Sequence, residues 1–327
     1  MPPTPKNIII TGAGGFIGPL LAARLLNDPS YRVILTDLVE PAIPEGVAYP
    51  QNATVLRGDI TDASFRLKLL AAAQPLSAVF IFHGIMSAGS EANWDLSLRV
   101  NVNSVRDLLV ALKDTNPGVR VVYSSSQAVY GQPLPASGFV TDDVTPTPEG
   151  TYGAHKLLTE AFINDMHRRG FIDAFSLRFP TVSVRPGRPT SAASSFLSGM
   201  VREPMKGEEC VIPLRDRAFK SFLVSPETLQ ENLIRVLNMD SAKLPRHIRH
   251  INVPGISVSI QELMDALAKY GGEDKLKFLK EEADPDLERI LRSWAPELDT
   301  TTPLKLGLIK DESADALVKQ YVDSLKK

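Results

Sequence analysis

A single cysteine, Cys210, stands in 327 residues, so no internal disulfide can form and no cysteine cluster is available for zinc. The five histidines are scattered without metal spacing, and no metal site is expected. Net charge is only −2, which excludes a general attraction to nucleic acid or an anionic membrane. No apolar run reaches the roughly 20 residues of a membrane-spanning helix, and the start, Met1 to Lys6, has no apolar signal region. Internal repeats and low-complexity segments are absent as well. These absences leave a soluble, cytoplasmic protein as the expectation. What is present is 43% hydrophobic residues, enough for a large core and for one big domain or one and a half.

The chain is organised around Ile8 to Gly18, Ile-Ile-Ile-Thr-Gly-Ala-Gly-Gly-Phe-Ile-Gly. Three consecutive Ile read as a strand buried on both faces, as in a parallel sheet. An apolar helical run, Leu20 to Leu26, follows the glycines. Gly12 permits a tight turn, Gly15 lets backbone approach a pyrophosphate, and Gly18 lets the helix pack close to the sheet. The helix then aims free N–H groups and its positive dipole end at phosphates. Further strands are expected at Arg32–Thr36, Thr54–Arg57, Ala78–Phe82, Arg120–Ser124 and Ala174–Phe179. Helices are expected at Phe65–Ala73, Leu96–Lys113 and Tyr152–Arg169. The alternation predicts an α/β fold, a Rossmann-type doubly wound parallel sheet built of right-handed βαβ units.

Asp37 ends the second strand, about 20 residues past the glycines, where an acid accepts hydrogen bonds from an adenosine ribose and repels a 2′-phosphate; the plain alternative is a loop acid. Asp59 either holds an adenine amino group or caps the next helix through Thr61-Asp62. His83 opens a loop of small residues suited to lie along a cofactor, and is either a hydrogen-bonded structural histidine or a functional one. Asn101 is a poor helix former that needs a partner if buried; it supports the site or faces solvent. Tyr152 and Lys156, four apart, share a helical face. An ammonium near the phenol is expected to lower its pKa, so that Tyr152 serves as acid or base near neutral pH. Ser126, just after the fifth strand, is placed to steady a substrate oxygen. The Tyr and Lys spacing is common by chance and gains its meaning from the glycine stretch.

Taken together, Thr11 to Gly18, Asp37, Asp59, Ser124-Ser125-Ser126-Gln127-Ala128-Val129-Tyr130-Gly131 and Tyr152/Lys156 resemble the extended short-chain dehydrogenase/reductases, in their epimerase/dehydratase branch. The likeness runs in order over residues 7–182 and more loosely beyond. It implies Ser126, Tyr152 and Lys156 as the catalytic set, with Lys156 on the nicotinamide ribose, and NAD as cofactor. The cofactor contacts expected on this basis are Gly12, Gly15, Phe16, Ile17, Gly18, Asp37, Asp59 and Ile60. His83, Gly84, Asn101, Ser124, Tyr152, Lys156, Pro180 and Val182 complete them. His83-Gly84-Ile85-Met86 departs from the His-Leu-Ala-Ala usual in the family, which leaves cofactor lining there to the backbone.

In the second half, residues 176–189, Ala192 to Phe196 and Arg202-Glu203-Pro204 resemble the D-erythronate dehydrogenase family, which implies oxidation of the C2 hydroxyl of a short sugar acid with NAD. Substrate contacts are expected at Ser87, Ser126, Arg185, Arg188, Ser194 and Ser195, with Arg185 or Arg188 holding the carboxylate through a planar fork of donors. The alternative for both arginines is to anchor the lobe through acids or carbonyls. Two other functions compete: a nucleotide-sugar epimerase or dehydratase with tightly held NAD, and a non-catalytic NAD-binding regulator. The expected domains are 1–182 with 214–240 returning to it, and a small discontinuous substrate lobe from 183–213 and 241–327. A homodimer is implied by the resemblance, Leu96–Lys113 and Tyr152–Arg169 pairing as a four-helix bundle. Leu158, Phe162 and Met166 form a stripe that suits this interface or, alternatively, intrachain core.

Overall fold

The protein is described by a computed structural model that covers residues 5–189 and 192–326. Seven parallel strands form the central sheet: β1 (Lys6–Thr11), β2 (Tyr31–Asp37), β3 (Ala53–Arg57), β4 (Leu76–Ile81), β5 (Arg120–Ser126), β6 (Asp173–Phe179) and β7 (His250–Asn252). Their order is β7-β6-β5-β4-β1-β2-β3. The order reverses between β1 and β4, so a crevice opens beyond the carboxyl ends of these two strands.

The isoleucine triplet explains why helices cover both faces. Ile8 and Ile10 point to one side, into a core with Leu21 and Leu25 of α1 (Ile17–Leu25) and Leu229, Leu233 and Val236 of α6 (Pro226–Leu237). Ile9 points to the other, into a core with Leu69 of α2 (Ala63–Ala72), Leu108 and Leu112 of α3 (Ser104–Thr115) and Ile163 of α4 (Thr151–Arg168). Each of the three is fully buried, worth about 1.5–3 kcal/mol apiece.

The helix expected over Leu96–Lys113 is not one regular helix. A short turn, Trp94–Ser97, runs into a π-helical stretch, Leu98–Asn103, before α3 begins. The wide turn brings Asn101 inward, where the carboxamide satisfies both backbone groups of Ile85: Oδ1 accepts its N–H at 2.7 Å and Nδ2 donates to its carbonyl at 3.0 Å.

A separate core holds the lobe, built from α5 (Ser195–Lys206), α7 (Ile260–Gly271) and α8 (Ala314–Ser324), with Leu197, Val201, Leu263, Leu267, Leu317 and Val318 inside it. A capping box starts α7: Ser259 and Glu262 cap each other reciprocally.

The domain expectation needs three corrections. Strand His250–Asn252, assigned to the lobe, extends the main sheet beside β6, because Ile251 belongs to the sheet core. Leu308 and Asp311 also return to the main body: Asp311 accepts from Ser225 and Thr228 at the start of α6, and Asn232 pairs with Ile309. Conversely, strand Lys220–Val224 stays outside the main sheet, pairing with Thr181–Val182 and antiparallel with Ile256–Ser259. Among the described residues no helix is long and apolar enough to cross a membrane.

Candidate active site

The β1–α1 loop is built for close approach. Gly12 has a φ of 69°, and a Cβ there would lie 2.5 Å from the His83 amide nitrogen; a Cβ at Gly18 would lie 2.6 Å from the Ala13 Cα. A Cβ at Gly15 would meet only the Gly12 carbonyl oxygen, at 3.2 Å, so the loop leaves room above it. No side chain caps α1 at Phe16, which leaves the amides around Phe16, Ile17 and Gly18 to an outside acceptor. Asp37 sits at the end of β2 with one carboxylate oxygen on the Gly14 N–H at 2.9 Å and the other on the Leu38 N–H at 2.6 Å. Its side chain is thus fixed beside the glycine loop. Asp59 accepts from the Thr61 N–H at 2.8 Å, whereas the cap of α2 is Asp62, whose side chain accepts from Ser64; Ile60 is buried next to it. These residues match the demands of a dinucleotide: backbone access for a pyrophosphate, helix-start amides with no side-chain cap, and an acid ending β2 beside the glycine loop.

His83 is held at both ring nitrogens, by Thr11 Oγ1 at 2.7 Å and Ser104 Oγ at 2.9 Å. Burial, with the Lys156 charge adding to it, pushes the imidazole down to about 3. It is therefore neutral and acts as a strut between β1 and α3, which favours the structural alternative. Gly84 follows it, against Asn101, where a Cβ would lie 3.0 Å from the carboxamide oxygen.

β5 and α4 assemble the reacting end. Ser124 donates to the Ile81 carbonyl at 3.0 Å and offers its own carbonyl to the Lys156 ammonium at 2.6 Å. Lys156 lies 4.7 Å from the Tyr123 ring centre and 5.5 Å from that of Tyr152. The Tyr152 phenol shares a hydrogen bond with Ser126. The contact is possible because the residue after Tyr152 is glycine: a Cβ at Gly153 would stand 2.0 Å from the Ala128 carbonyl oxygen, in the turn that follows Ser126. A glycine inside a helix costs about 1 kcal/mol against alanine, and that local disadvantage was the sequence's signal of close packing here.

The expectation that Lys156 lowers the phenol's pKa is corrected. Burial pushes Tyr152 up to about 12, and the groups opposing it are Ser126 and Arg185. Burial also pushes Lys156 down to about 7, opposed by Glu160. A buried site penalises both charges, so each group leans toward its neutral form.

The segment after β6 supplies the cation. Pro180 leads into the strand Thr181–Val182, and Val182 is buried. Arg185 donates from Nε to the Val182 carbonyl at 2.9 Å, and its charge acts directly on Tyr152. Helix α5 clamps its backbone: Ser198 Oγ accepts the Arg185 N–H at 3.0 Å and Arg202 donates to the Arg185 carbonyl at 2.9 Å. Arg202 is itself buried and ion-paired with Glu203. Ser198 and Arg202 were not anticipated as site residues. Arg188 is exposed on the outer loop. Ser194 is buried at the start of α5 with Ser195 after it, and Ser87 begins the short helix Ser87–Ala92. Among the described residues no group of His, Cys, Asp and Glu is placed to hold a metal ion.

D-erythronate dehydrogenase of Haemophilus influenzae is 34% identical over 97% of this chain and 99% of its own length. D-erythronate dehydrogenase of Cupriavidus necator is 33% identical over 97% and 98%. Among solved structures, a nucleoside-diphosphate-sugar epimerase from Agrobacterium tumefaciens superposes with a TM-score of 0.90 at 29% identity, covering 98% of this chain and 94% of that one. The sequence profile of the NAD dependent epimerase/dehydratase family matches residues 8–220. The glycine loop, the acid ending β2 and the serine, tyrosine and lysine gathered at the end of β5 all fall within that match, and the chain belongs to the NAD-dependent epimerase/dehydratase family.

Proposed function

We propose that the protein is an NAD-dependent dehydrogenase that oxidises the C2 hydroxyl of a short sugar acid, D-erythronate or a close relative, to the 2-oxo acid. The observation that carries this reading is the place of Arg185. Its charge bears on the Tyr152 phenol, and both of its backbone groups are fixed by α5. A carboxylate seated on that guanidinium puts the adjacent carbon, C2, at the phenol, so an acid anchor beside the base selects the hydroxyl next to the carboxylate. Arg188, on the outer loop, is the weaker candidate. The names of the two relatives above support the substrate class.

In this reading a bound nicotinamide would supply the hydride acceptor. The chain's own residues do the rest. The β1–α1 loop and the uncapped start of α1 would hold the pyrophosphate, and Asp37 would hold the adenosine ribose, disfavouring a 2′-phosphate. Lys156 would hold the nicotinamide ribose. Tyr152 takes the C2 hydroxyl proton while Ser126 steadies the same oxygen, and Ser87, Ser194 and Ser195 are assigned to the remaining hydroxyls.

The resemblance to a nucleoside-diphosphate-sugar epimerase structure supports a second reading, transient oxidation without net turnover of cofactor. Incubation with NAD and D-erythronate separates the two. Steady NADH formation is expected, and Arg185→Ala should lower kcat/KM by roughly 30- to 1000-fold, or about 2–4 kcal/mol, with NAD affinity unchanged. Equal efficiency in the Arg185→Ala protein would remove the carboxylate anchor. We further propose a cytoplasmic homodimer formed through the outer faces of α3 and α4, where Leu158 is 56% and Val110 40% exposed.

A further inference from the structure

We propose that Glu160 is a positioning residue of the catalytic machinery, tying α4 to the serine end of β5 and placing a negative charge one helical turn from Lys156. The proposal rests on the assignment of Tyr152 and Lys156 made above. Tyr152, Lys156 and Glu160 follow one another at four-residue spacing along α4, on one face. Glu160 is 2% exposed. One carboxylate oxygen accepts from Ser125 Oγ and from Arg178 Nε, the latter at 3.0 Å; the other accepts from Arg178 Nη2 at 2.6 Å. Ser125 and Arg178 face each other across the β5–β6 ladder. One side chain thereby joins the catalytic helix to both strand ends, directly between Ser124, whose carbonyl holds the Lys156 ammonium, and Ser126, which holds the phenol.

The charges around this face decide the electrostatics. The Lys156 ammonium lies over the rings of Tyr123 and Tyr152; the neutral His83 is buried near it, and the Glu160 carboxylate, one turn further along α4, acts on it at longer range through its charge. Glu160 itself meets Arg178 and lines a cavity of about 200 Å³ that also presents Asp142 and His250. Glu160 is the acid that works against burial at Lys156, whose pKa stands at about 7. Removing one proton from the Tyr152/Lys156 pair leaves two forms: neutral phenol with neutral amine, or phenolate with ammonium. Only the second has a base at the substrate hydroxyl. A carboxylate one helical turn from the ammonium favours that second form by its charge.

The test titrates Lys156 by NMR in cofactor-free protein carrying 13C-labelled lysine, the signal being identified as the one lost in Lys156→Arg. In Glu160→Gln the Lys156 midpoint should fall by about one pH unit. The plateau kcat for oxidation should fall about tenfold, the same shift expressed as a ratio of the two forms. Because Glu160→Gln leaves Arg178 buried without its partner, a Glu160→Gln/Arg178→Gln double variant is measured in parallel, with a smaller downward shift expected. A Lys156 midpoint equal to the parent's in a folded variant overturns the proposal. So does failure of both variants to fold, which assigns the pair to stability alone. Loss of kcat in Tyr152→Phe tests the catalytic assignment separately, and the NMR midpoint is independent of it.

Discussion

Tyr152 is where burial and chemistry pull in opposite directions. Its phenol stands at about 12, so below neutral pH the pair with Lys156 keeps both protons and offers no base. Lys156, at about 7, sets where the first proton leaves. The sign follows: oxidation should speed up as pH rises from 6 to 8, and a rate that falls over this range would contradict the assigned roles. Tyr152→Phe keeps the ring and removes the proton acceptor. Its turnover should fall by about a thousandfold or more while NAD still binds, as judged by fluorescence titration. At the other end of the cofactor site, Asp37→Ala should narrow the preference for NAD over NADP, read as the ratio of kcat/KM values; an unchanged ratio would move the discrimination elsewhere. Much of this site was legible in the sequence, since glycine spacing, an acid at the end of β2 and Tyr/Lys at four residues are local patterns. Ser198, Arg202 and Glu160 were not, because their meaning lies in contacts between elements far apart in the chain.

At the scale of elements, two departures from regular structure make the site. The π-helical stretch Leu98–Asn103 turns Asn101 inward to hold the loop after β4, and a sequence reader sees only a helix with two poor helix formers in it. Gly153 lets the start of α4 press against the turn after Ser126. Gly153→Ala should force these elements apart. The expected result is a kcat at least tenfold lower and a Tm lower by several degrees, a clash near 2 Å from backbone being beyond what a side chain can relax. An unchanged Tm and kcat would show that the helix packs otherwise. The strands were legible to within one or two residues, because a central parallel strand, buried on both faces, leaves a short continuous apolar run. Strand His250–Asn252 escaped assignment to the sheet because three residues carry too little pattern to say which sheet they join.

For the whole molecule, the doubly wound sheet was readable from the rhythm of strands and helices, but the lobe boundary was not. The chain crosses between main body and lobe several times, and the crossings are fixed by tertiary ties such as Asp311 to Ser225. The expected interface stripe on α4 is likewise divided: Leu158 is exposed, Phe162 is partly covered and packed against the sheet core, and Met166 lies inside that core at 5% exposure. A dimer would therefore use Leu158 with Val110 and not the full stripe. Light scattering at micromolar concentration should give twice the 35.7 kDa chain mass, and Leu158→Glu should shift it toward the monomer; a monomeric parent would contradict the assembly.

The central claim is hydride removal from the carbon next to the carboxylate, and labelled substrate reads it directly. D-erythronate carrying deuterium at C2 is incubated with the protein and NAD, and the reduced cofactor is weighed by mass spectrometry. The account predicts NADH one mass unit heavier, formed more slowly than from unlabelled substrate because the broken bond is the labelled one. NADH without the label, or no NADH from this acid, would contradict it.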